Sequence, residues 1–162
     1  MKLLVDGDIV AYRAAASCEK REGGVVVERE EQHIAFWRVG ATINLLKERW
    51  KTDDLEIYIS GDNNFRYQVD PEYKANRKDM VRPLYLVDCQ ELLIQKYGSK
   101  VTDGYEADDS LGIRSTACSG SEEAIVCSID KDLLQIPGRH YNWVNDVDTS
   151  ISEWQGWYNF FV

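Results

Sequence analysis

Three short apolar runs in this chain each stop at an acidic residue, and that repetition constrains the fold more than any other feature. Lys2–Val5 leads into Asp6-Gly7-Asp8, Leu55–Ser60 into Gly61-Asp62, and Ala124–Ile129 into Asp130-Lys131-Asp132. Apolar runs this short, bounded by turn residues, read as strands buried on both faces. Helical patterns lie between them: the alanine-rich Ile9–Cys18, then 31–51 with Ile34, Trp37, Ala41, Leu45 and Leu46 at helical spacing, Leu84–Tyr97 with Leu86, Cys89, Leu93 and Tyr97 on one face, and Tyr105–Cys118. Val25–Val27 reads as an edge strand or hairpin arm, Lys100–Thr102 and His140–Val144 as short strands, and Ser152–Phe161 as a closing helix. Alternating strand and helix predict a three-layer α/β fold, a mostly parallel twisted sheet with helices on both faces and right-handed crossovers. At 162 residues the chain suits one domain.

In such a sheet the ligand site lies outside the carboxyl ends of the strands. Asp6, Asp62 and Asp130 follow strands directly and should converge there. Gly104–Gly112, GYEADDSLG, adds Glu106, Asp108 and Asp109 at the opening of a helix just past the fourth strand. Taken alone, that stretch fits a solvated acidic helix cap equally well. Together with Asp132, however, these acids crowd one crevice, and they ionise together only beside a compensating cation. An all-carboxylate site suits Mg²⁺ or Mn²⁺. Two such ions about 4 Å apart activate a water and steady the leaving oxygen of a phosphodiester. The only histidines, His33 and His140, read as structural or exposed, and no Ser-His-Asp set is evident. Asp8 reads as the cap of the first helix rather than as a ligand.

The charge balance narrows the partners. Nineteen basic against twenty-eight acidic residues leave −9, which argues against a general polyanion binder and makes any nucleic-acid contact local or metal-bridged. Phe65–Arg82 departs from that balance. Arg66, Lys74, Arg77, Lys78 and Arg82 against Asp70, Glu72 and Asp79 give it a local charge of +2, with Tyr67 and Tyr73 and little that would build a core. It reads as a flexible segment that orders on DNA. The four scattered cysteines, without a CxxC pair, argue against zinc and for reduced thiols. The N-terminus is charged within six residues and no run approaches a membrane span, so a soluble cytoplasmic protein without a membrane partner is expected.

DGD after the first strand, GDNNFR, PEYKANRK, GYEADDSLG and SIDKDLLQ stand in the order that resembles the 5′-nuclease superfamily: flap endonucleases, the 5′-nuclease domain of bacterial DNA polymerase I, and bacteriophage 5′–3′ exonucleases. The resemblance runs from residue 3 to about residue 136, and the compact size and tryptophan-rich tail look most like a phage exonuclease. It implies a PIN-like, resolvase-like fold and a 5′–3′ exonuclease or flap endonuclease acting as a monomer on DNA with a 5′ end, flap or nick, with RNA in RNA–DNA hybrids as a further substrate. By the same resemblance the metal acids would be Asp6, Asp62, Glu106, Asp108, Asp109, Asp130 and Asp132, holding two Mg²⁺ or Mn²⁺ in the complete enzyme, with Asp62 and Asp108 counted as catalytic. Lys74 and Arg77 would lie over the site and contact the scissile phosphate. Arg66, Tyr73, Lys78, Arg82 and Lys131 would add contacts to the nucleic acid. The family continues into a helix–hairpin–helix segment with further aspartates, where this sequence stops, so a weaker second ion and poor cleavage are expected of these 162 residues.

Three other readings compete. A PIN-type endoribonuclease shares the fold and the acids, but the YKANR stretch favours the DNA branch. A haloacid-dehalogenase-type phosphatase would use LLVDGDIV as its nucleophile motif, but its paired acids should end a strand rather than open a helix. A non-catalytic module binding metal and branched DNA would have little need for so many mutually repelling carboxylates.

Overall fold

The computed structural model describes residues 1–62, 64–74, 81–118 and 123–162. Its centre is a sheet in which β1 (Lys2–Asp6) is flanked by β4 (Leu55–Ile59) on one side and β6 (Ala124–Cys127) on the other. Beyond β4 lies the two-residue β5 (Lys100–Val101), and beyond β6 lie β7 (Gly138–Asn142) and β8 (Val147–Ile151). All neighbours pair in parallel except β7 and β8, which form an antiparallel hairpin. A separate hairpin, β2 (Glu19–Glu22) with β3 (Val25–Arg29), stands on the surface.

Side-chain alternation along β1 splits the core in two. Leu3 and Val5 face α1 (Gly7–Ala16), α2 (Gln32–Trp50) and α4 (Leu86–Tyr97). Leu4 faces the opposite layer, where it meets Leu111 of α5 (Ala107–Cys118) and Leu133 of a short 3₁₀ helix, Lys131–Gln135. A last helix, α6 (Glu153–Phe161), packs beside the 3₁₀ helix, its Asn159 amide donating to the Leu134 carbonyl. The expected three layers and mostly parallel sheet are present. No helix among the described residues is long and apolar enough to cross a membrane.

Two expectations need correction. Asp6, not Asp8, caps α1, accepting from the Ile9 amide at 3.3 Å, because the helix begins at Gly7. The buried stripe of α2 is Ala35, Val39, Ile43 and Leu46, while Trp37 is 71 % exposed and Leu45 43 %. Small and branched side chains let α2 approach its neighbours, and the bulky ones are left at the rim. The stretch after β7 carries a further strand, β8, which holds Asp148 within the hairpin. Within the basic stretch, residues 65–69 form the short helix α3 (Phe65–Val69), capped by Asn64. Residues 75–80, with Arg77 and Lys78, lie outside the described residues.

The first turn of α1 lies directly on β4. A Cβ at Gly7 would stand 2.7 Å from the Tyr58 carbonyl oxygen and 2.9 Å from side-chain atoms of Ile57 and Ile59. Gly7→Ala is expected to cost about 1–3 kcal/mol by overpacking and to lower Tm by several degrees in calorimetry; an unchanged Tm would contradict this contact.

Candidate metal centre at the strand ends

The carboxyl ends of β1, β4 and β6, together with the start of α5, bring acids from four parts of the chain to one edge of the sheet. Asp6, the last residue of β1, is 2 % exposed. Besides capping α1 it accepts from the Ser128 hydroxyl at 2.8 Å, and the Ser128 oxygen accepts the Asp130 amide at 3.1 Å. Asp8, in the first turn of α1, accepts both the amide and the hydroxyl of Ser60 at the end of β4. The Ser60 oxygen accepts the Ala107 amide at 2.9 Å, which ties the start of α5 to the same edge. Asp130 accepts from the Asp132 amide at 2.9 Å and caps the 3₁₀ helix.

The electrostatics divide the acids into two groups. Burial pushes the Asp6 carboxyl up to about 7 against the opposing Ser128 hydrogen bond, and the charges of Asp108 and Asp8 raise it further. Burial likewise lifts Asp108 to about 6, helped by Asp130, Glu106 and Asp8 and opposed by Lys74. Asp8 is raised by burial and by Glu106, against its bonds to Ser60. Asp109 goes the other way: the Arg66 guanidinium grips both its oxygens, at 2.5 and 2.8 Å, and holds it below the usual carboxylate range.

Glu106 also has a cation from the chain itself. Lys74 Nζ lies 2.6 Å from Glu106 Oε1, and the Tyr73 hydroxyl stands 3.4 Å from both Glu106 oxygens. Burial works to lower the Lys74 pKa, but the bond to Glu106 outweighs it and the net shift is upward. Lys74 holds a left-handed backbone, φ 55°, which is uncommon for a residue with a Cβ. Arg66 and Lys74 both lie over the Tyr73 ring, 6.0 and 5.1 Å from its centroid.

Asp6, Glu106, Asp108 and Asp130 are thus brought into electrostatic contact. Asp62 lies exposed just past β4, and Asp132, Lys131 and Arg82 are exposed as well. Sequence reasoning missed Asp8, Ser60 and Ser128 as parts of this edge. The one available signal was the second aspartate of Asp6-Gly7-Asp8, which was assigned to the cap. Among the described residues no three His, Cys, Asp or Glu side chains converge tightly enough to hold one ion as they stand. The donor chemistry nonetheless fits a hard divalent cation, being all oxygen, with buried Asp6 and partly buried Asp108 left short of positive charge.

A raised carboxyl pKa has a fixed sign. Between about pH 4 and pH 7 the unfolded chain ionises Asp6 before the folded chain does, so in metal-free buffer this residue lowers stability progressively as pH rises through that window. Asp6→Asn keeps an oxygen to accept the Ile9 amide and turns its NH2 to the Ser128 oxygen, which then accepts instead of donating. It is expected to be more stable than the parent at pH 8 with chelator, by on the order of 2 kcal/mol, with the gap closing towards pH 4. Urea titrations that give the same difference at both pH values would contradict the buried-charge account.

Comparisons with known proteins bear on the family and the fold. The family model for the 5′–3′ exonuclease N-terminal resolvase-like domain matches residues 1–157. A 5′–3′ exonuclease of Buchnera aphidicola subsp. Schizaphis graminum is 29 % identical over 156 residues, covering 92 % of this chain and 53 % of that protein. The exodeoxyribonuclease of Enterobacteria phage T3 is 28 % identical over 122 residues, 71 % of this chain and 40 % of that protein. The chain spans about half the length of the curated relatives it matches. The bacteriophage T5 D15 protein, crystallised with metal ions, superposes with a TM-score of 0.63 at 18 % identity, over 91 % of this chain and 56 % of the T5 chain. The D15 flap endonuclease in complex with DNA and metal ions gives 0.64 at 15 % identity, over 91 % of this chain and 57 % of that one. At those identities the likeness is one of fold. The family match spans nearly the whole sequence, and the chain belongs to the 5′–3′ exonuclease family through its N-terminal resolvase-like domain.

Proposed function

We propose that this chain carries the catalytic site of a metal-dependent 5′–3′ exonuclease or flap endonuclease that hydrolyses DNA phosphodiesters at a 5′ end, flap or nick. One observation carries the reading. Buried Asp6 and partly buried Asp108, both held well above the normal carboxylate range, sit at the carboxyl edge of a parallel sheet, next to two basic side chains. Their excess negative charge is what a divalent cation removes. Asp6, Glu106, Asp108 and Asp130 would hold Mg²⁺ or Mn²⁺, with Asp62, Asp109 and Asp132 available at the rim for a second ion. Bound there, the metal supplies an activated water and neutralises charge on a phosphodiester oxygen.

The chain's own residues supply the rest. With a net charge of −9 the protein repels DNA as a whole, so binding depends on local cations. Arg66 and Lys74 stand at the mouth of the acid crevice and neutralise Asp109 and Glu106. With those acids turned to metal, both side chains are released to phosphate oxygens. Arg77 and Lys78 extend the same basic stretch in sequence. Tyr73, between Arg66 and Lys74, offers a ring for base stacking. The relatives named as exonucleases and flap endonucleases, and the T5 protein's complex with DNA and metal ions, support this reading.

Cleavage of 5′-labelled flap, nicked and single-stranded DNA with Mg²⁺, with and without chelator, is the direct test. Asp108→Asn is expected to abolish cleavage and leave the fold intact; a rate untouched by that change or by chelator would sink the metal reading. Lys74→Ala is expected to slow single-turnover cleavage about 100- to 1000-fold, as for loss of one donor to developing charge, with a smaller effect on DNA affinity. If instead affinity falls and the single-turnover rate holds, Lys74 serves binding alone.

A further inference from the structure

Two serines occupy matching places on either side of β1. Ser60 follows β4 and Ser128 follows β6, the two strands that pair with β1. Each makes the same pair of bonds. The Ser128 hydroxyl meets Asp6 at 2.8 Å while its oxygen takes the Asp130 amide at 3.1 Å. The Ser60 hydroxyl meets Asp8 at 2.5 Å while its oxygen takes the Ala107 amide at 2.9 Å. A hydroxyl has one proton and two lone pairs. With an N–H already pointing at the oxygen and a carboxylate alongside, the proton goes to the carboxylate, so both serines are fixed in orientation. Ala107 lies between Glu106 and Asp108 in the chain and is fully buried. Holding its amide therefore sets the position of both acids.

We propose that Ser60 and Ser128 are positioning residues for the metal site. Each strand-end hydroxyl fastens a carboxylate of the β1–α1 junction to the backbone of the segment that carries the next acids, and so sets the spacing of the donors before an ion arrives. Neither serine is a ligand in this scheme. Each acts through the acids it ties together, Ser128 linking Asp6 to Asp130 and Ser60 linking Asp8 to the Glu106–Asp108 stretch. The inference rests on the metal-dependent reading above and adds to it the part of the scaffold that holds the acids in register. Partners of this outer kind typically contribute 10- to 100-fold to metal affinity.

The test is calorimetric titration of Mn²⁺ into the parent, Ser60→Ala and Ser128→Ala, with far-UV circular dichroism and Tm measured alongside. Ile43→Val, which trims a fully buried side chain on α2 away from the acids, controls for a general loss of stability. Each alanine variant is expected to bind Mn²⁺ about 10- to 100-fold more weakly with its helical signal retained. Ile43→Val should lower Tm and leave the affinity unchanged. A folded alanine variant that binds Mn²⁺ like the parent overturns the proposal. Where an alanine variant does not fold, the cysteine variant at that position is titrated instead: weakened binding supports the assignment, and parental affinity overturns it. A parent that binds no Mn²⁺ overturns the metal reading before any variant is needed, and this inference falls with it.

Discussion

The burial of one carboxylate at the end of the central strand shapes the surrounding structure. Asp6 cannot move out to water, because Leu3, Leu4 and Val5 before it are fully enclosed by helices on both faces of the sheet. A buried ionised carboxylate costs several kcal/mol unless hydrogen bonds or a cation offset it. The chain provides an amide from the first turn of α1 and a serine hydroxyl from the neighbouring strand end. It then adds more negative charge nearby, from Asp8 and Asp108. A fold selected for stability alone would have little use for that arrangement, and the deficit is what the metal reading proposed above would relieve.

The outer acids are balanced differently. Glu106 and Asp109 are held by Lys74 and Arg66, which arrive from a basic stretch of an acidic protein. Those ion pairs organise residues 65–74 as a short helix and turns against the crevice. The same contact brings Tyr73 over the acids. The inner acids receive only partial relief from Lys74. The site is therefore graded, from carboxylates neutralised by the chain at its mouth to carboxylates starved of cation at its base.

Much of this was legible in the order of residues. Apolar runs ending at Asp6, Asp62 and Asp130 implied a parallel sheet with acids at one edge, and the helix beginning beside Asp108 and Asp109 was equally plain. What stayed hidden depends on contacts between distant residues. Ser60 and Asp8 are 52 positions apart, Ser128 and Asp6 122 apart, and a lone serine at the end of a strand carries no local mark of its partner. The buried stripe of α2 was misplaced because Trp37 and Leu45 outweigh Ala35 in any count of hydrophobicity, whereas packing favours the side chains that allow close approach.

The sequence by itself determined the strand and helix alternation, the placing of acids after strands, and membership of a nuclease family through motifs spread along most of the chain. These follow from periodicity and turn chemistry, which act over a few residues. Only the tertiary structure decided which carboxylates are starved of charge and which are paired, that Asp6 rather than Asp8 caps the first helix, and that two serines lock the acids in register. Burial and hydrogen-bond partnership are properties of the packed chain. Two aspartates of identical chemistry diverge, Asp6 held near 7 at the base of the crevice and Asp109 below its ordinary value beside Arg66, according to what the fold places next to each.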